Sequence, residues 1–381
     1  MRNAVLVSAV RTPVGVAGGA FKDLDRLDLS DAVIKEAIAR AKIDSSMVEE
    51  NVWGDIPLFL TPARYVWLHA GMNIDTACLT VNRGGATGLS AIATASAMIA
   101  TGGGDVYMAG GLEQDSRRFY YLQSDNPYEG GSIRINSQYS SPKALYGDPT
   151  MLEAAQNLAQ TYGITRQECD EYAARSHALA LQGYEEGLHR AHMIPIALPQ
   201  GSGVTVDRDE TLCPGITAQA LAALPGGVCT AGNCAAPADG AAACVVMEEE
   251  KARSLGLKPL LRFVDFAVSG VDPRQMGLGP VPAMEKVMKR NGMTVKDFSF
   301  IECDESTACQ TLAVQRALDI PTERLNIRGG SIALGHPQAA TGINLAAKAA
   351  ALFAQQGGER CAITLCVDGG QGVAAIFENC N

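Results

Sequence analysis

Aromatic side chains are scarce in this chain. They make up 6% of 381 residues, with two tryptophans. Long apolar runs are missing too: no stretch approaches the ~18 residues that a membrane span needs. The opening segment "MRNAVLVSAVRTPVG" holds too short an apolar run for a secretory signal. A soluble, cytoplasmic protein with no membrane partner is expected. An excess of positive charge is also lacking. Lys and Arg total 31 against 41 Asp and Glu, giving a net charge of −10. That balance argues against a general nucleic-acid binder, although a few local donors suffice to hold an anionic ligand. Zinc-knuckle C-x-x-C pairs are absent. The eleven cysteines are odd in number, and their short spacings, Cys229/Cys234 and Cys361/Cys366, have no histidine close by. They read as mostly buried, reduced thiols, with no metal site and no disulfide framework.

What the chain does have is glycine, 40 residues of it, and 47% hydrophobic content. This composition suits a large, well-buried α/β protein with many tight turns. An internal echo organises it. "NRGGATG" at 82–88 precedes an Ala-rich apolar helix and the strand "DVYMAGG". "NIRGG" at 326–330 leads through "SIALGHPQAATG" to "INLAAKAAALFA" and then "GERCAITLCVDGG". A turn, a buried helix and a buried strand occur twice, which predicts a duplicated α/β unit whose halves pack together. Further strands are expected over 4–10, 242–247, 260–267, 298–303 and 373–378. Helices are expected over 28–41, 151–162, 166–187 and 282–291, the third opened by a Thr165/Glu168 capping box. Residues 113–150 show no clear period and read as a loop excursion of the kind that carries binding surface.

These segments together resemble the thiolase family nearly end to end. The resemblance is carried by "VLVSAVRTPVG", "YGITRQECDEYAARSHALAL", "TAGNCAAPADGAAACVVM", "GLGPVPA", "GGSIALGHPQAATG" and "CVDGGQG", in that order. It implies a duplicated α/β fold, two mixed five-stranded sheets in an α-β-α-β-α layering. The N-terminal half would comprise 1–112 and 151–250, and the C-terminal half 251–381, with 113–150 near the active site. It also implies a dimer or tetramer that cleaves a 3-oxoacyl-CoA with CoA, or runs the reverse Claisen condensation. Coenzyme A is then a substrate, and no cofactor is covalently bound.

The family's functional positions give a mixed reading. His336 in "GHP" matches the histidine that activates the nucleophile and contributes to an oxyanion hole. An imidazole suits both tasks because it exchanges protons near neutral pH. Cys366 in "CVDGG" matches the cysteine that shuttles the α-carbon proton, a task eased where an electropositive neighbour lowers its pKa. Gly85 stands where the family has its nucleophilic cysteine. It cannot carry an acyl group, yet its N–H remains available for the second oxyanion hole together with that of Asp368, which replaces a glycine. "DESTA" at 304–308 replaces an Asn-Glu-Ala-Phe segment. Asp304 there could orient an imidazolium, and Glu305 is retained. Around CoA, Cys213 stands for an arginine and Ala235 for a serine, and the loop after Leu224 lacks the usual Phe.

Four explanations fit the missing nucleophile: direct attack by the CoA thiol, a catalytically silent subunit, a substitute thiol among Cys303, Cys309 and Cys234, or an engineered change at Gly85. Retention of His336 with Cys366 favours an enzyme. Arg117, Arg118, Arg134 and Lys143 alternate with Phe119, Tyr120, Tyr121, Tyr128, Tyr139 and Tyr146. They suggest solvated surface or subunit contacts or, more sharply, a pocket for an acyl group bearing a carboxylate or an aromatic ring, such as benzoylsuccinyl-CoA of anaerobic aromatic degradation. The eroded CoA contacts leave room for a small zinc-containing OB-fold partner subunit.

Overall fold

A computed structural model describes residues 2–55, 61–118, 121–124, 133–136, 140–199 and 203–380. The main sheet contains β1 (Ala4–Arg11), β2 (Glu50–Asp55), β3 (Ala77–Val81), β4 (Val106–Gln114), β5 (Ala238–Glu248), β6 (Leu261–Gly270), β7 (Phe300–Cys303), β8 (Arg360–Val367) and β9 (Gln371–Asn379). Their order is β7-β8-β9-β6-β1-β5-β4-β2-β3, and the short strand Gly15–Val16 pairs onto β5.

The order is the same in both halves. From the centre outward, β1-β5-β4-β2-β3 is matched by β6-β9-β8-β7, with Leu325 adding a parallel bridge to Ile301 where β3 sits in the first half. Directions repeat as well: the two inner pairings are antiparallel and the outer ones parallel in each half. The echo in the sequence is therefore a fold duplication. The two five-position sheets are not separate. β1 and β6 join them through Ala4–Phe263, Val5–Arg262 and Leu6–Leu261.

The labelled helices are α1 (Arg26–Ala41), α2 (Thr87–Ala100), α3 (Met151–Tyr162), α4 (Arg166–Glu185), α5 (Pro280–Asn291), α6 (Ala308–Ala317) and α7 (Gln338–Gln356). Strand side chains alternate between faces, and this alternation sorts the core into three parts. Leu6, Ala109 and Ile363 pack on the central helices α2 and α7. Val5, Met108 and Trp53 face α1 on one outside. Ala362, Ile301 and Ile376 face α3, α5 and α6 on the other. This is the α-β-α-β-α layering.

A central helix is apolar all round because sheets cover it on both sides. Its glycines mark the closest approach. A Cβ on Gly88 of α2 would lie 2.8 Å from the Ala339 carbonyl oxygen of α7, and one on Gly342 would lie 2.2 Å from the Leu89 nitrogen. The repeated "ATG" is thus the crossing point of two helix backbones.

The Thr165/Glu168 capping box forms, and Thr150 with Glu153 makes a second at α3. Within 113–150, β4 runs on to Gln114, and Tyr121–Ser124 pairs with Ile133–Asn136 as a two-stranded ribbon, where the sequence read as loop. Among the described residues no helix is long and apolar enough to cross a membrane.

Candidate active site

Several chain segments converge on one cavity of about 140 Å³, four of them carrying the expected chemistry. Gly85 arrives on the turn between β3 and α2. His336 arrives just before α7. Cys366 and Asp368 come from the end of β8, and Ser306 from the turn after β7. β7 and β8 are neighbouring parallel strands, in register from Phe300–Cys361 to Cys303–Thr364. Their carboxyl ends therefore deliver Asp304 and Cys366 to the same rim, where open α/β sheets hold ligands. The glycine of "GHP" is required: Gly335 has φ +82°, and a Cβ there would lie 2.3 Å from Val14.

A Cβ built on Gly85 would lie 3.3 Å from His336 Nε2 and 3.6 Å from the Cys366 carbonyl oxygen. The imidazole and the β8 end thus face the position that the missing side chain would take. The hydrogen bonds fix the imidazole tautomer. Thr341 Oγ1 donates to the Pro337 carbonyl at 3.0 Å, so its oxygen accepts from His336 Nδ1–H at 2.9 Å. That leaves the Nε2 lone pair toward Gly85. Asp304, fully buried, sits 3.4 Å from the same Nδ1. It is held by Ser331 Oγ on Oδ1 at 2.7 Å and by Ser306 Oγ on Oδ2 at 2.6 Å.

Cys366 does not have an electropositive setting. Burial pushes its thiol up, and the Asp304 charge adds to that, while Ser306 works against it. The condition that would ease its task is not met: this thiol is held protonated, as a proton donor rather than a resting thiolate. Asp368 lines the pocket instead of turning away from it. Desolvation by the walls raises its carboxyl pKa, and the charges of His336 and Arg118 pull it back.

Family models for the N-terminal domain of thiolase and the C-terminal domain of thiolase match residues 4–250 and 257–379. The chain belongs to the thiolase family. It is 37% identical to the acetyl-CoA acetyltransferase of Escherichia coli over the full length of both chains (100% of each). It is 35% identical to a beta-ketothiolase of Cupriavidus necator, covering 99% of each. The acetyl-CoA acetyltransferase structure from Bacillus anthracis superposes with a TM-score of 0.91 at 35% identity, over 100% of this chain and 99% of the other. Human mitochondrial 3-ketoacyl-CoA thiolase in complex with CoA gives 0.91 at 33% identity, over 99% and 98%. The protein is a thiolase-type acyltransferase, and CoA is the substrate shared by the family.

Other expected site residues of this thiolase fall elsewhere. Glu305 does not face substrate. Its fully buried carboxylate accepts from Tyr172 (2.8 Å), Ser176 (2.7 Å), Asn326 (2.8 Å) and the Ile332 N–H (3.2 Å). Cys213 is exposed and lies outside the pocket wall, its N–H bound to His177. Arg117 turns away to the Lys22 carbonyl. Ala235 and Arg118 do line the pocket, Arg118 bound to Asp115. Arg134 lies on the ribbon, with its side chain outside the described residues, as are those of Phe119, Tyr120, Tyr121, Tyr128 and Tyr139. Cys303, Cys309 and Cys234 are not substitutes at the wall. Cys303 is fully buried behind Asp304, and the thiols of Cys234 and Cys309 meet that of Cys229 in a separate cluster. Among the described residues the pocket's thiol is Cys366, and no group of three His, Cys, Asp or Glu is placed to hold a metal. Sequence reasoning missed Ser306, Ser331 and Thr341 as holders of Asp304 and His336. The hydroxyls in "DESTA", "GGS" and "ATG" were the available signal.

Proposed function

We propose that this thiolase works without an acyl-enzyme: the thiol of CoA attacks the 3-keto carbon directly, in the space that a side chain at position 85 would fill. The observation that supports this reading is the open Nε2 of His336 facing that space, 3.3 Å from where a Cβ would stand. His336 takes the thiol proton at Nε2, and Asp304 balances the imidazolium from the Nδ1 side. The sulfur bonds to the keto carbon, and the oxygen becomes an alkoxide held by the N–H groups of Gly85 and Asp368. The C2–C3 bond then breaks. One fragment leaves as the new thioester, and the other leaves as the enolate of an acyl-CoA. Cys366 protonates that enolate at the α-carbon, and the proton held by His336 then returns to the Cys366 thiolate, restoring the resting pair. Run backwards, the same groups perform the Claisen condensation.

The proposal extends to the acyl group. Arg118 offers a cation at the pocket wall, although Asp115 already binds it. A 3-oxoacyl-CoA with a carboxylate and an aromatic ring, such as benzoylsuccinyl-CoA, is the substrate class that would use it. For partners, we propose a second copy of the chain and a small zinc-containing OB-fold subunit. The division into halves at 1–112 with 151–250 and at 251–381, with 113–150 near the site, is part of the same reading, as is a cytoplasmic location.

The test is thiolysis of a panel of 3-oxoacyl-CoAs, with intact-mass measurement during turnover. Direct attack predicts activity with no acyl adduct on the protein. It also predicts that Gly85→Ala lowers kcat/KM by about 10- to 100-fold, because the new methyl crowds His336 and the incoming sulfur. An adduct on any cysteine would overturn direct attack. Inactivity against the whole panel, with its partner present, would identify a silent subunit.

A further inference from the structure

We propose that Ser306 is a positioning residue that couples the acidity of Cys366 to the charge on His336, through Asp304. Ser306 Oγ lies 2.6 Å from Asp304 Oδ2 and 3.5 Å from Cys366 Sγ. The other carboxylate oxygen, Oδ1, is 3.4 Å from His336 Nδ1. The two groups that handle protons in the pocket are therefore joined by one carboxylate and one hydroxyl.

A hydroxyl has one proton to give. At rest Ser306 gives it to Asp304, the charged and nearer acceptor, so across the 3.5 Å contact the Cys366 S–H is the donor. Asp304 is fully buried and Cys366 only 2% exposed, so little water screens the carboxylate from the sulfur. A thiolate is disfavoured in that state.

The balance changes when His336 takes the thiol proton of CoA. The imidazolium then faces Asp304 and offsets its charge. The carboxylate holds the Ser306 proton less tightly, and the hydroxyl is free to turn to the sulfur as Cys366 gives its own proton to the α-carbon. Cys366 becomes a better acid only once the base is loaded. The order of proton transfers follows from the geometry: base first, acid second. The role in turnover rests on the direct-attack reading above, whereas the Ser306 link between Asp304 and Cys366 does not.

Other charged or titratable groups also face Cys366: Asp368, Cys303, and Arg118 with Asp115 at the pocket rim. They stay in place in every variant used for the test. The probe is iodoacetamide, with the extent of alkylation at residue 366 read by peptide mapping across about pH 5 to 10. Ser306→Ala should slow alkylation about tenfold at a given pH, the effect of one pKa unit. The bond the hydroxyl can donate to the thiolate outweighs the weak 3.5 Å contact it accepts from the thiol. Ser306→Thr, which keeps the hydroxyl, should restore the wild-type rate. Asp304→Asn should speed alkylation, because the charge that disfavours the thiolate is gone. A Ser306→Ala rate within about twofold of wild type would overturn the proposal. So would a Ser306→Thr variant as slow as Ala, or an Asp304→Asn variant slower than wild type. Thiolysis is assayed separately. Its failure alongside the expected alkylation pattern removes direct attack and leaves the coupling standing.

Discussion

Glu305 gathers four donors from α4, from the Asn326 turn and from the segment before His336. A Cβ on Gly330 would lie 2.3 Å from its carboxyl carbon, so this carboxylate is also a packing element. Removing it orphans the Tyr172 and Ser176 hydroxyls and the Ile332 N–H at once, while Asn326 keeps the Cys303 carbonyl. Glu305→Ala is expected to destabilise the fold by about 3–5 kcal/mol in denaturant titration, the range for breaking a buried charged network. A loss under about 1 kcal/mol would mean that water takes over the donors. Motif position alone placed Glu305 beside substrate, and nothing in its flanking residues announces burial. His336, Cys366 and Ala235 were legible for the opposite reason. Their glycine- and proline-marked turns fix a local geometry that survives in the structure. The Cys366 environment was not legible, because its dominant neighbour, Asp304, is 62 residues away in sequence and adjacent only through the β7–β8 pairing.

At the scale of elements, apolar runs located strands well, since a strand covered on both faces is apolar throughout. β1, β5 and β9 contain the expected segments and extend one to four residues past them at an end, while β6 starts one residue inside its expected segment and runs three past it. Helix ends were legible where capping chemistry is explicit, as at Thr165. The ribbon Tyr121–Ser124/Ile133–Asn136 was not, because strands of four residues are too short to show a period. The contact of α2 with α7 gives a sharper expectation. At their crossing a methyl on Gly342 would stand 2.2 Å from a backbone nitrogen. Overpacking against backbone costs about 1–3 kcal/mol or more. Gly342→Ala should therefore lower the melting temperature by several degrees, while Gly71→Ala, where no atom lies within 4 Å, tests only the left-handed backbone. Equal shifts in the two variants would show that the helix crossing is looser than described.

For the whole molecule, the free edge is informative. Among the described residues β3 ends the sheet with mostly exposed side chains, Leu79 at 39%. An uncovered strand edge is a pairing surface. A second copy meeting the first along this edge would cover it, so light scattering should give at least a dimer, and Leu79→Asp should shift it toward monomer. A wild-type protein that stays monomeric at assay concentration would sink that expectation. The duplication itself was legible as an echo. The β1–β6 seam was not, because three residue pairs leave no periodic mark in either strand.

Gly85 reaches the pocket on the first unit of the duplication, whereas His336, Cys366, Asp304 and Ser306 come from the second. Neither unit therefore owns a complete workshop. A chain severed in the connection between β5 and β6 should yield two inert fragments, and any activity regained on mixing them would measure how faithfully the seam reassembles.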